Sequence, residues 1–398
     1  MVKTIAPLFS FGASGSISDT LTFSMRKTGK IVRHQKKQID VVTDLRTAQR
    51  VLYKNAVISW NALDDSEKLA FANLAKGLRM SGYNLFMRQA LLATFADRGL
   101  NWDDLGQQFL ETAINAVSSL GGSFAVAGTG GGGKILHSLD RGETWADLGQ
   151  QFSQTGIFSF ANLGSGISVA GTGSGGKILR STDSGATWSD MGALAFATTV
   201  KSLVNLGAGV VLAGSSTFGR IHKSVDNGLT WVDKGSPFTQ SVILSLADFG
   251  GGIVCAGTGG NGKILRSVDS GENWSDLGSL PGVFEVFSMV SLGDGVGLAG
   301  TGTNGKILRT TDNGLTWVDL GQQFGEKEID SIADLGGGVI IAGTGINSHI
   351  IRSIDNGLTW SDLGSGFGVN FILSLANLES GVAIAGESSG GKIWRSTS

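Results

Sequence analysis

The chain has 398 residues, with 31 Lys and Arg against 33 Asp and Glu and a formal net charge of −2. That balance excludes a uniformly basic nucleic-acid coat and a polyacidic tail. Hydrophobic residues make up 41 %, and 63 Gly stand against 3 Pro, which suits a large core threaded with many tight β turns. No apolar run reaches the roughly 18 residues that span a bilayer, and Cys255 is the single cysteine, so there is no internal disulfide framework.

The small net charge conceals two opposite halves. Residues 1–97 hold 14 Lys and Arg against 7 Asp and Glu, a formal +7, and residues 98–398 hold 17 against 26, a formal −9. Such a bipolar chain can orient itself, basic end toward an anionic surface or nucleic acid and acidic ring outward.

Residues 1–42 form a Ser/Gly/Thr-rich basic arm. Its start, MVKTIAPLFSFGASG, has one lysine and too short an apolar stretch for a secretory signal, so export by that route is not expected. A strand pair is predicted around Leu21-Thr-Phe and Lys30-Ile-Val, turning through Lys27-Thr-Gly-Lys. The cluster RKTGKIVRHQKK supplies Arg26, Lys27, Lys30, Arg33, Lys36 and Lys37 as a docking surface for protein, with nucleic-acid contact the lesser alternative.

Residues 43–96 read as a small helical module of three helices. Thr43 caps the first, Asp64 with Glu67 makes a capping box for the second, and Ser81 opens the third. Two phrases, Trp60-Asn-Ala-Leu-Asp-Asp-Ser-Glu-Lys68 and Ser81-Gly-Tyr-Asn-Leu-Phe-Met-Arg88, resemble a module of structural proteins of tailed bacteriophages and prophages. They also resemble fragments of the HMG box, but in reversed order, which argues against DNA bending.

From residue 97 to 398 one module is copied seven times. Trp102, Trp145, Trp188, Trp231, Trp274, Trp317 and Trp360 recur every 43 residues without an insertion. Each copy reads like GKILRTTDNGLTWVDLG at 305–321, with the signature Ser/Thr-x-Asp-x-Gly-x-Thr-Trp. The aspartates, Asp97, Asp140, Asp183, Asp226, Asp269, Asp312 and Asp355, sit where a short carboxylate can accept amide bonds of a tight turn. The Gly two places on can take positive φ, and the Trp covers the turn. Lys-Ile-Leu before the turn reads as one strand and Leu-Thr-Trp-Val-Asp after it as another. Upstream, Val286 to Leu292 and Val296 to Ala299 give two more, so each copy supplies four strands, one propeller blade.

The cut between copies falls inside this signature: the chain stops at GKIWRSTS, while Asp97, Gly99 and Trp102 carry the missing half. Residues 100–105 are therefore expected to form the outermost strand of the last blade, beside a strand at 391–397, so that no inter-blade edge stays open. The predicted fold class is mainly β: a seven-bladed β-propeller over 97–398, preceded by a small, mostly helical N-terminal domain.

The signature resembles the Asp-box, or BNR, repeat of sialidase-like β-propellers. Sialidase activity would require an arginine triad, a tyrosine nucleophile paired with glutamate, and an acid-base aspartate. The only tyrosines, Tyr53 and Tyr83, precede the repeats. Arg180, Arg266, Arg309, Arg352 and Arg395 occupy one repeat position, with His137 and Lys223 in the other two copies, and such equivalents in a ring do not converge. They read as supports for the strand before each turn. Cys255, whose equivalents are Val126, Val169, Leu212, Leu298, Ile341 and Ile384, reads as a buried small hydrophobe.

Positions where the copies disagree are the candidates for function. They cluster in the connection from the outer strand to the next copy, such as QQFGEKEID, and in the one before the third strand, such as SSTFGRI. In a propeller both open on the face opposite the aspartate turns. There Lys201, Glu285, Glu326, Lys327, Glu328 and Asp330 depart from otherwise apolar or small residues, and Glu285 with Glu328 is a candidate pair for acid-base hydrolysis. Phe109, Phe152, Phe238, Phe324 and Phe367, replaced by Ala195 and Pro281 in the other copies, read as wedges between blades. His34, His137, His222 and His349 lack metal-ligand spacing, the Gly-rich strings have no helix to receive a phosphate, and no cofactor or metal is implied.

The expected function is a non-enzymatic virion component of the tailed-phage kind, a decoration, spike or adhesin made in the host cytoplasm and multimeric on its particle. Its N-terminal region would dock onto other virion proteins, and its propeller would be displayed for a partner or for host surface glycans. The alternatives are a lectin-like propeller outside a virus and a propeller-type glycoside hydrolase. The seven-bladed Asp-box factors of photosystem assembly would carry a targeting signal not seen at this start.

Overall fold

A computed structural model describes residues 97–397 apart from 365, 368–370 and 380. Before them it describes residues 16–18, 21–26, 29–34 and scattered positions between 57 and 84. The chain divides into two units, Met1–Phe95 and Ala96–Ser398.

In the first unit, β1 (Ser16–Ser18), β2 (Leu21–Arg26) and β3 (Gly29–His34) form an antiparallel sheet in that order. β2 and β3 pair from Leu21↔His34 to Arg26↔Gly29. Arg26, Lys30 and Arg33 thus lie on these strands, while Lys27, Lys36 and Lys37 fall outside the described residues. The helical domain expected over 43–96 is described only at single positions. Val57, Trp60, Asn61, Asp65, Lys68, Leu69, Ala72, Tyr83 and Asn84 are helical, and no helix is described from end to end. The caps at Thr43 and Asp64/Glu67 lie outside the described residues. Ser81 Oγ accepts from the Asn84 amide at 3.1 Å, the bond of an N-cap, and the Trp60 and Tyr83 rings meet edge to face at 5.4 Å. Among the described residues no helix is long and apolar enough to cross a membrane.

The second unit is a seven-bladed propeller built from seven four-stranded antiparallel sheets. After β4 (Asn101–Gln107), blade 1 comprises β5 (Ile114–Gly121), β6 (Phe124–Thr129), β7 (Lys134–Ser138) and β8 (Ala146–Gln150), from the axis outward. Blades 2 to 6 repeat the pattern over 157–193, 200–233, 242–279, 286–322 and 329–362. Blade 7 takes three strands from the end of the chain, Ile372–Asn377, Ala383–Glu387 and Lys392–Thr397, and its fourth is β4. The closing register runs from Thr397↔Asn101 to Lys392↔Gln107, so the first propeller strand seals the last blade as the displaced half-signature requires.

Alternation explains the core. Apolar side chains on both surfaces of each sheet pack against the neighbouring blades, so the hydrophobic clusters lie between blades. Leu120, Val126 and Ile135 of blade 1 meet Ile157, Ala170, Leu179 and Trp188 of blade 2, and Ile114, Ala127 and Leu136 meet Ile384 and Ile393 of blade 7. The outer strand starts later than its sequence suggests. In blade 5 it runs Val318–Gln322, after Leu315-Thr-Trp, because those residues complete the turn.

Candidate functional site

The aspartate turns stand on one face beside the hairpins joining first and second strands; the Arg141 amide, for instance, donates to Ser123 O at 2.8 Å. In blade 5 Asp312 Oδ1 accepts from the Thr310 hydroxyl at 2.8 Å and the Thr316 amide at 2.9 Å, and Oδ2 accepts from the Thr316 hydroxyl at 2.6 Å. Burial alone would raise its pKa, but these bonds win and hold the carboxyl down to about 2. Trp317 Nε1 donates to Gly314 O at 3.1 Å and covers the turn.

These turns also join the blades, a role the sequence did not show. Each glycine of the signature abuts the preceding blade's second strand: a β-carbon on Gly314 would lie 2.3 Å from Cys255 Sγ, and one on Gly228 2.5 Å from Val169 Cγ1. Each third-strand residue reaches forward to the next blade's turn. Arg180 donates to Asn227 O at 2.8 Å, Arg266 to Asn313 O at 2.8 Å, Arg309 to Asn356 O at 3.1 Å and Arg352 to Arg98 O at 2.8 Å. Arg395 then donates to Arg141 O at 3.0 Å, which closes the circle from blade 7 to blade 1. His137 makes the contact to Ser184 O at 2.9 Å, and Lys223 instead bonds Glu272 Oε1 of the next turn at 2.8 Å. The seven side chains are thus inter-blade ties, each facing its own turn. Cys255 is fully buried, and burial pushes its thiol up to about 12.

The opposite face is formed by the variable connections. The loops before the third strands bond directly to the connections entering the next blade, as in Gly175 N to Thr198 O at 3.0 Å and Gly345 N to Glu328 O at 3.1 Å. Here the phenylalanines behave differently from wedges. Phe109, Phe152, Phe238 and Phe324 are 40 to 49 % exposed, each with φ between 47° and 56°; only Phe367 is buried, edge to face with Trp102 and Trp394. Phe196 and Phe284 on the two remaining connections and Phe218 on a neighbouring loop are more exposed still. The periodicity was real, but a recurrent ring says nothing about burial when its backbone turns it outward.

The six charged candidates separate into different environments. Glu326 is buried and accepts from Asn347 Nδ2 at 3.1 Å. Its repeat equivalent Glu111 is also a buried glutamate, paired with Lys134 at 3.0 Å, while the remaining copies carry Gln, Ala or Val there. Lys327 is exposed. Lys201, on the innermost strand of blade 3, is half-buried with its ammonium 4.2 Å from the Phe158 ring centre, and burial lowers its pKa.

Glu285, Glu328 and Asp330 do form a group, where the innermost strands of blades 5 and 6 begin beside the central axis. Burial raises the Glu328 carboxyl, Glu285 raises it further, and Lys327 opposes them. Asp330 is pushed up to about 8, first by burial and then by Glu328, and its Oδ2 is shielded from solvent without a hydrogen-bond partner. Glu285 Oε2 accepts from the Thr303 hydroxyl at 3.3 Å. Among the described residues no cationic nitrogen lies within ion-pairing distance of these three carboxylates, and no His, Cys, Asp and Glu group has the makings of a metal site.

No protein-family model and no curated protein matches the chain. Solved structures share its fold. A structure of YCF48 bound to D1 peptide superposes with a TM-score of 0.61 at 16 % identity, covering 75 % of this chain and 97 % of that one. A streptogramin B lyase gives 0.62 at 14 %, covering 74 % and 96 %. The GH74 xyloglucanase of Xanthomonas campestris gives 0.58 at 17 %, with 74 % of this chain matching 53 % of that enzyme. These proteins differ in what they do, so the likeness defines a seven-bladed β-propeller and no activity.

Proposed function

We propose that the protein is a non-enzymatic binding scaffold, a virion component of the tailed-phage kind in which the N-terminal unit docks onto the particle and the propeller is the displayed binding head. The observation that carries the binding role is the collar of exposed phenylalanines on one face. Large apolar side chains repeated along one face of a rigid ring suit a surface where another molecule is received. The division of labour supports it: the aspartate turns and the third-strand side chains that tie the blades hold the ring together, and the variable connections are left to meet a partner. The particle reading rests on the +7 charge of residues 1–97 and on the two phrases that resemble phage structural proteins.

Replacing Arg26, Lys27, Lys30, Arg33, Lys36 and Lys37 together by Gln tests the docking role. The substituted protein is expected to lose co-sedimentation with particles while the propeller melts at an unchanged temperature. Retained co-sedimentation, or a parent protein that never leaves the free fraction of a particle preparation, would refute it.

A second reading is favoured by the carboxylates of blades 5 and 6. Glu285 and Glu328 in neighbouring environments, with Glu328 raised, meet the first requirement of a glycoside hydrolase acid-base pair. Exposed rings that could stack on sugars suit glycan binding with or without hydrolysis. Turnover of a glucan or sialoside that disappears in Glu328→Gln would favour that reading over the scaffold.

A further inference from the structure

The face that carries the phenylalanine collar also carries an uncompensated acidic sector, and the two together specify a partner. Six of the seven inter-blade connections present an exposed ring, Phe109, Phe152, Phe196, Phe238, Phe284 and Phe324. Two of them, Phe284 and Phe324, lie on the connections that carry Glu285 and Glu328 into the innermost strands, where Asp330 follows and Lys327 is the neighbouring cation. At the repeat positions of Asp330 the other innermost strands carry Asn115, Phe158, Lys201, Leu244, Phe287 and Leu373. Residues 98–398 carry a formal −9, so the surrounding field adds to the local one.

We propose that this face receives an extended protein segment that places an Arg or Lys side chain against Glu285, Glu328 and Asp330 and lays flanking apolar side chains on the phenylalanine collar. The inference rests on the binding-head reading and names its ligand chemistry. A cation is the species that a shielded, unpaired carboxylate beside two others is built to hold, because pairing offsets the cost of keeping charge away from water. An apolar flank is required because Phe284 and Phe324 are exposed on the two connections that carry Glu285 and Glu328, farther apart than one side chain reaches. A peptide backbone can span that distance while its side chains alternate between the two chemistries. Lys201, on blade 3, gives the ring of axial side chains a charged polarity that would fix the segment's direction.

Proton linkage follows the same geometry. The charged group acting on Asp330 is Glu328, just ahead of its strand, which in turn feels Glu285 of the neighbouring connection and Lys327 beside it. In the free protein Asp330 loses its proton near pH 8, and only the ionised form attracts the cation, so binding tightens as pH rises from 7 to 9.

Isothermal titration of the full chain with acetyl-Phe-Arg-Phe-amide, its Glu analogue and spermidine tests the proposal. The Arg peptide is expected to bind, more tightly at pH 9 than at pH 7, and Glu285→Gln with Glu328→Gln to weaken it at least tenfold without changing the melting temperature. Asp330→Asn should remove most of the dependence on pH, and Phe284→Ser with Phe324→Ser should weaken the peptide but leave spermidine unchanged. A Glu analogue that binds as well, or an Arg peptide indifferent to the carboxylate substitutions, overturns the cationic ligand while leaving the binding head intact. Spermidine binding as tightly as the peptide overturns the protein segment, and failure of every probe overturns the proposal, whereas loss of particle association fails the scaffold separately.

Discussion

Phe152 stands at φ 47°, in the left-handed region that costs a residue with a β-carbon about 1–2 kcal/mol, and it is 41 % exposed. Stability alone does not explain such a residue, since glycine would relieve the strain at the cost of about 0.5–1 kcal/mol of chain entropy. Because the covered part of the ring is lost as the strain is relieved, Phe152→Gly is expected to change the unfolding free energy by no more than about 1 kcal/mol in denaturant titration. A fall of about 3 kcal/mol, the range for emptying a buried aromatic site, would restore the wedge reading. The sequence could show that the rings recur but not which way they face, because a left-handed φ at a non-glycine residue leaves no mark in the pattern. The charged candidates divide similarly. Glu285, Glu326, Glu328 and Asp330 are all visible as departures from the repeat, but only packing shows that Glu326, like its counterpart Glu111, is buried.

At the scale of the element, the aspartate turn is both a local motif and a joint. The local half was legible: an aspartate, a glycine with positive φ and a covering tryptophan follow from side-chain chemistry at fixed spacing. The joint was not, since Arg309 meets Asn356 and Gly314 meets Cys255 only when neighbouring blades are packed side by side. The late start of the outer strands has the same origin, because Leu-Thr-Trp has β propensity yet is held in the turn by the aspartate and the ring. Gly314→Ala would combine a strained backbone with a β-carbon 2.3 Å from a buried sulfur, and a loss of about 3 kcal/mol is expected. In a double-mutant cycle with Cys255→Ala, part of that loss should be recovered, a coupling of about 1–2 kcal/mol. Strict additivity would mean that the turn does not press on the preceding blade.

For the whole molecule, the 43-residue period was enough to set the blade number, the four strands per blade and the way the ring closes, because each copy can bury its faces only against the next. What the repeat did not carry is the binding chemistry, which lives where the copies differ. The assignment of every residue to a binding face or a joining face depends on closure through β4. The direct test is a pair of cysteines at opposed positions of the closing register, Asn101→Cys with Thr397→Cys, oxidised in the full-length chain and followed by peptide mapping. A disulfide within one chain, formed in high yield and raising the melting temperature, is the expected result. Free thiols, or links only between separate chains, would contradict the closed ring.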